Sequence, residues 1–123
     1  MRRVMFSLAA LAAAGPALAD EGACRPKVEE PCFSVHGRLE AYNGAPTFRL
    51  WIIGTRRVLG VSAEGAKSGR PDLPVVLGDK LGADAFSKRV FGDYQVCPIT
   101  RERRGWMQMV CLKSASNLVV ETR

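Results

Sequence analysis

Histidine occurs once in this sequence, at His36, and its four cysteines include no Cys-x-x-Cys pair. Zinc centres draw on closely spaced cysteine and histidine, and the wide gaps between Cys24, Cys32, Cys97 and Cys111 argue against one. The same gaps exclude a thioredoxin-type dithiol. A Gly-x-Ser-x-Gly elbow, which turns the chain sharply beneath a serine nucleophile, is missing; Gly60-Val61-Ser62-Ala63-Glu64 lacks the second glycine and reads as the end of a strand. No glycine-rich phosphate loop opens a helix. His36 has Glu40 four positions along an extended segment, too far to orient it as a general base, so it reads as a surface histidine. Carboxylate pairs of the glycosidase kind leave no mark in a linear sequence. No cofactor and no catalytic residue is expected.

Long apolar runs are equally scarce. Beyond the N-terminus none approaches the roughly 20 residues of a membrane span. At the N-terminus, Arg2 and Arg3 precede the apolar stretch Val4–Ala14, and Ala17-Leu18-Ala19 presents small residues where signal peptidase cuts. Residues 1–19 therefore read as a cleavable signal peptide, which places the protein in the periplasm or outside the cell. Residues 20–32 read as an irregular leader and 33–123 as one β domain. Cys24 stands too far behind the apolar stretch, across Asp20 and Glu21, for a lipoprotein signal.

All four cysteines lie after that signal, and an even count in an exported chain implies two disulfides. Four cysteines allow three pairings. The sequence-local one, Cys24 with Cys32 and Cys97 with Cys111, is the expectation here.

From Phe33 the chain alternates. Phe33, Val35, Leu39 and Ala41 fall on one face and Ser34, His36, Arg38, Glu40 and Tyr42 on the other, as in a half-buried strand. Asn43-Gly44 predicts a type I′ hairpin with Tyr42 opposite Ala45, which sets Leu39 on Phe48 and Arg38 on Arg49. Gly54-Thr55 predicts a type II′ turn with Ile53 opposite Arg56, which sets Leu50 on Leu59. A three-stranded meander over 33–61 results. Residues 62–74 read as a loop, Pro74–Leu81 as a short helical turn, and Val90–Ile99 with Trp106–Leu112 as a second hairpin around the basic loop Thr100–Gly105. Leu118–Glu121 adds a short last strand. Five short antiparallel strands in this order predict an all-β, disulfide-stapled barrel that is OB-like; another small β-sandwich or barrel uses the same elements.

The segments His36-Gly37-Arg38-Leu39, Tyr42-Asn43-Gly44, Arg49-Leu50-Trp51, Gly54-Thr55-Arg56-Arg57 and Phe91-Gly92-Asp93-Tyr94-Gln95-Val96-Cys97-Pro98 resemble a set of small, uncharacterised exported bacterial proteins. The resemblance covers most of the chain after the signal and implies one intact domain. It carries no known activity, so it assigns no functional residue.

Arginine and lysine exceed acids enough for a formal charge of +6, with clusters at Arg56-Arg57, Lys88-Arg89, and Arg101 with Arg103-Arg104. These read as solvated loop charge, and Trp106, Met107 and Met109 as hairpin core. The expected binding surface is the polar face of the meander, where the predicted register gathers His36, Arg38, Arg49 and Trp51. Tryptophan offers a stacking surface and arginine a planar fork for carboxylate or phosphate. The expected function is a non-catalytic envelope module for an anionic or extended ligand, such as a glycan, peptide or protein. A small secreted enzyme with a site scattered in sequence is the alternative, and nucleic-acid binding by an OB-like domain a weaker one.

Overall fold

The strictly alternating segment after residue 32 forms the longest stretch of the meander, and its apolar side turns inward as the period of two requires. The computed structural model describes Cys24 and residues 27–63 and 72–123. The expected signal peptide lies outside the described residues. Five strands follow in chain order: β1 Phe33–Ala41, β2 Phe48–Ile52, β3 Val58–Val61, β4 Lys88–Pro98 and β5 Gln108–Thr122. A helix, α1 Val75–Leu81, lies between β3 and β4, and a single 3-10 turn, Ala85–Ser87, leads into β4.

The hydrogen-bonded neighbours run β1-β2-β3-β5-β4, and β4 pairs back onto β1, so the sheet closes. Every pairing is antiparallel except β3 with β5, which is parallel. The sheet is therefore mixed, a correction to the wholly antiparallel expectation. It follows from topology: α1 carries the chain across the barrel, so β5 returns beside β3 in the same direction. Leu39, Leu50, Leu59, Val90, Val96 and Val110 are fully buried inside, and Leu77 and Leu81 of α1 join them. Tyr94 is also inside; its hydroxyl donates to the Val90 carbonyl at 2.7 Å, and burial pushes the phenol well above its ordinary range. Gly37 and Gly92 face each other across β1–β4. A Cβ on Gly37 would meet Leu50 Cδ1 at 2.7 Å, and one on Gly92 would meet Leu118 Cδ2 at 2.5 Å, so neighbours fill the space both residues leave.

The two meander turns came out differently. The β2–β3 register is the one predicted, Leu50 opposite Leu59 and Trp51 opposite Val58. Its turn sits one residue earlier than predicted. The Thr55 amide donates to the Ile52 carbonyl, and Gly54 takes φ 88°, the positive value a type II turn requires at its third residue. The β1–β2 register is shifted by two residues from prediction: Leu39 faces Leu50, Arg38 faces Trp51 and Glu40 faces Arg49. Pro46 has no amide hydrogen for a ladder, so pairing begins beyond it, where the Tyr42 amide donates to the Thr47 carbonyl at 2.7 Å. A shift of two preserves which side each residue faces, and it replaces the predicted Arg38–Arg49 opposition with the favourable Glu40–Arg49 pair.

The cysteine pairing also departs from expectation. Cys24 bonds Cys111 and Cys32 bonds Cys97, at sequence separations of 87 and 65. The cause is the leader's path. Phe33 is the ladder partner of Val96, so Cys32 arrives beside Cys97, and the Lys27 amide donates to the Pro98 carbonyl. Cys97 and Cys111 are themselves neighbours on β4 and β5, yet each is bonded to the leader instead.

Candidate binding surface

On the outer face of β1 the side chain of Glu40 is only 6% exposed, a depth that a carboxylate tolerates only when paired. Arg89 Nε lies 2.7 Å from its Oε1 and Arg38 Nε 3.4 Å, while the Tyr42 hydroxyl donates to Oε2 at 2.7 Å. That hydrogen bond, with burial, raises the Tyr42 phenol above its usual range. Arg89 also reaches Glu121, and the Arg123 guanidinium donates to the Ala41 carbonyl.

The same arginines lie on rings. Arg38 is stacked over Trp51 with its guanidinium carbon 4.7 Å from the ring centroid, and Arg49 over Tyr42 at 4.7 Å. Trp51 is fixed in turn by its indole, which donates to the Thr55 carbonyl at 2.7 Å. Arg38, Tyr42, Arg49, Trp51 and Val58 together line a hollow of about 210 Å³. Three of the four expected site residues therefore meet, with Arg38 lying over Trp51.

His36 is elsewhere. Its ladder partner on the β4 side is Asp93, and Nδ1 lies 2.9 Å from Asp93 Oδ1, with Asn117 donating to the other carboxylate oxygen at 2.8 Å. These two hydrogen bonds, led by that from Asn117, hold the Asp93 carboxyl below its ordinary value. The pair is open to solvent.

A second hollow, about 520 Å³, lies between the β2–β3 and β4–β5 connections. The buried Gln108 ties them together: its Nε2 donates to the Thr100 carbonyl, and its Oε1 accepts from Arg57 Nη2. Arg57 also reaches Glu102 and lies over the Phe33 ring. Trp106, expected in the core, is 68% exposed, and Met107 is exposed beside it. The reason is local: the Trp106 amide closes a tight turn onto the Arg103 carbonyl, so both residues precede β5 and lie beyond the sheet that would cover them. Arg103 stacks over Trp106 at 5.1 Å. Val58 lines both hollows, so they adjoin.

The sequence pattern brings Arg38, Arg49 and Trp51 together, whereas Tyr42, on the same face, joins their hollow only in the structure. The usable signal was that Tyr42 and Glu40 are two apart on one strand and so share a side. The loop clusters Arg56-Arg57 and Arg103-Arg104 were read separately; only the closure of the sheet brings them together. The sulfurs of Cys24, Cys97 and Cys111 lie within 4.8 Å of one another because the two disulfides adjoin, and sulfur in a disulfide offers no thiolate to a metal ion. Comparison with protein-family models, curated proteins and solved structures finds no match to this chain.

Proposed function

We propose that this chain is a non-catalytic binding module of an oxidising, exported compartment, periplasmic or extracellular, and that an anionic ligand seats on the outer wall of β1, β2 and β3. One observation carries the reading: two guanidiniums, each laid on an aromatic ring, line a single hollow on that wall. A ring-backed guanidinium has already lost part of its rotamer freedom, so less is lost when an oxyanion binds. The two disulfides support the compartment, since such bonds persist where thiols are not kept reduced. The strand order, the parallel β3–β5 pair and the helix between β3 and β4 support an OB-like reading of the barrel. OB folds seat oligonucleotides and oligosaccharides on their second and third strands, where Arg49, Trp51 and Val58 lie. An enzymatic reading has less support, because the oriented imidazole of His36 lines neither hollow.

The test is affinity for soluble polyanions: long-chain polyphosphate, polygalacturonate and dextran sulfate. The double variant Arg49→Glu with Trp51→Ala is compared with Lys113→Glu, which makes the same charge change on β5. The double variant is expected to stay folded and to lose at least about tenfold in affinity for one or more of them, the scale of one charge-assisted contact, while Lys113→Glu loses little. Equal losses in the two proteins, or no binding by the parent, would sink the proposal.

A further inference from the structure

Arg56 and Arg104 line the larger hollow from its two opposite connections, and among the described residues neither has an ion pair or hydrogen-bond partner. Arginine forks without partners on both sides of a groove leave it with an uncompensated positive charge. The groove is also a built feature, since Gln108 and Arg57 fix the two connections against each other. Because Val58 belongs to both hollows, this groove continues the wall that carries Arg49 and Trp51.

The rings indicate what is read along that surface. Trp51, Tyr42 and Trp106 each carry an arginine on a face, and Tyr42 has a second guanidinium, Arg123, at 5.2 Å. Proteins that stack bases keep aromatic faces open for them. Here a guanidinium lies on a face of each ring, two of them on Tyr42, and these contacts orient forks for charged oxygens in preference to planar groups, although Trp106 stays 68% exposed. The forks also come from facing connections. A planar carboxylate turns both oxygens in one plane toward one fork, whereas a tetrahedral phosphate offers oxygens to both sides at once.

Resting on the anionic-ligand reading above, we infer that the two hollows form one track for an unbranched chain of phosphate groups, gripped through its phosphate oxygens and not through bases or sugar rings. Inorganic polyphosphate and a phosphodiester backbone share this chemistry.

The probes are long-chain inorganic polyphosphate, an abasic deoxyribose-phosphate strand, a thymidine oligonucleotide of equal length, and polygalacturonate. Arg56→Ala with Arg104→Ala is compared with the charge-matched Lys80→Ala with Lys113→Ala. Neither arginine has a partner to lose, so a thermal midpoint equal to that of the control confirms folding. The expected result is a loss of at least about tenfold in affinity for both phosphate chains beyond the control. The slope of log affinity for the abasic strand against log salt should also shrink by about 0.7 for each arginine removed. If the loop variant matches its control while Arg49→Glu with Trp51→Ala still loses binding, the track is wrong and the wall reading stands. If neither variant differs from its control, both fall. Polygalacturonate bound as tightly as polyphosphate overturns the phosphate assignment, and thymidine bases that add more than about tenfold over the abasic strand overturn the reading of the rings. The tighter of the two phosphate chains identifies the source.

Discussion

On the wall formed by β1, β2 and β3 two outward arginines, Arg38 and Arg49, lie on aromatic rings beside the buried Glu40, whereas on the wall formed by β4 and β5 the outward groups satisfy one another across the strands, Arg89 with Glu121 among them. Asp93 is held by Asn117 and His36, and the Ser114 hydroxyl donates to Gln95 at 3.5 Å. The second wall is also the one both disulfides tie to the leader, through Cys97 and Cys111. One barrel thus separates two tasks. Two disulfides and mutually satisfied polar groups, the Asp93 carboxylate among them, hold one side, and the other carries the ring-backed arginines.

That division predicts the largest effect for the disulfides. Replacing Cys32 and Cys97 together by serine should destabilise the fold by about 2 to 4 kcal/mol, because the bond closes a long loop and restricts the unfolded chain. Denaturant midpoints measure it. Below the transition, polyphosphate affinity should be unchanged; a parallel loss of binding would show that the walls are not separable.

Glu40→Gln should come next. It keeps the shape but leaves Arg38 and Arg89 without their shared countercharge. Because those side chains are 28% and 35% exposed, the cost should be about 1 to 3 kcal/mol, below that of a fully buried pair. Polyanion affinity should hold or rise, since one negative charge leaves the wall. A fall in affinity at full folding would show that Glu40 positions the arginines for the ligand.

The smallest expected effect is on the other wall. The Asp93 carboxyl titrates lower in the folded protein than in the unfolded chain, so it adds stability that is present above its ordinary value and lost as pH falls through the folded one. Following the Asp93 carboxyl carbon by NMR, Asn117→Ala should move the midpoint upward toward 3.8 and leave polyanion binding alone. An unmoved midpoint would mean that the side-chain amide does not hold the carboxylate.

The inward face of the meander was legible because alternation survives a register shift of two, as Leu39 shows by staying buried opposite Leu50 instead of Phe48. The last strand was not. Its polar run Ser114-Ala115-Ser116-Asn117 reads as a break, yet β5 continues through it for 15 residues. Two register irregularities explain this: Gln95 pairs with Ser114 while Val96 pairs with Leu112, and a second shift lies between Phe91 and Asp93. Each inserts an extra residue, so the inward positions Leu112, Ala115 and Leu118 are spaced by three and the period of two disappears from the sequence. The candidate surface is half visible in the sequence for a related reason. Arg38, Arg49 and Trp51 share one hairpin and could be paired on paper, but the loops carrying Arg56 and Arg104 meet only when the sheet closes.

The nested disulfides, Cys32–Cys97 inside Cys24–Cys111, impose an order in time. Translation proceeds from the N-terminus, so Cys24 and Cys32 emerge long before Cys111 and Cys97, which follow 87 and 65 positions later. During that interval each early thiol has only the other as an intrachain partner. An oxidant acting on the emerging chain would therefore close the short Cys24–Cys32 loop first, and the native bonds would then require that bond to be opened by thiolate exchange. Maturation of this small barrel should accordingly depend on a disulfide-isomerising activity more than on the rate of oxidation.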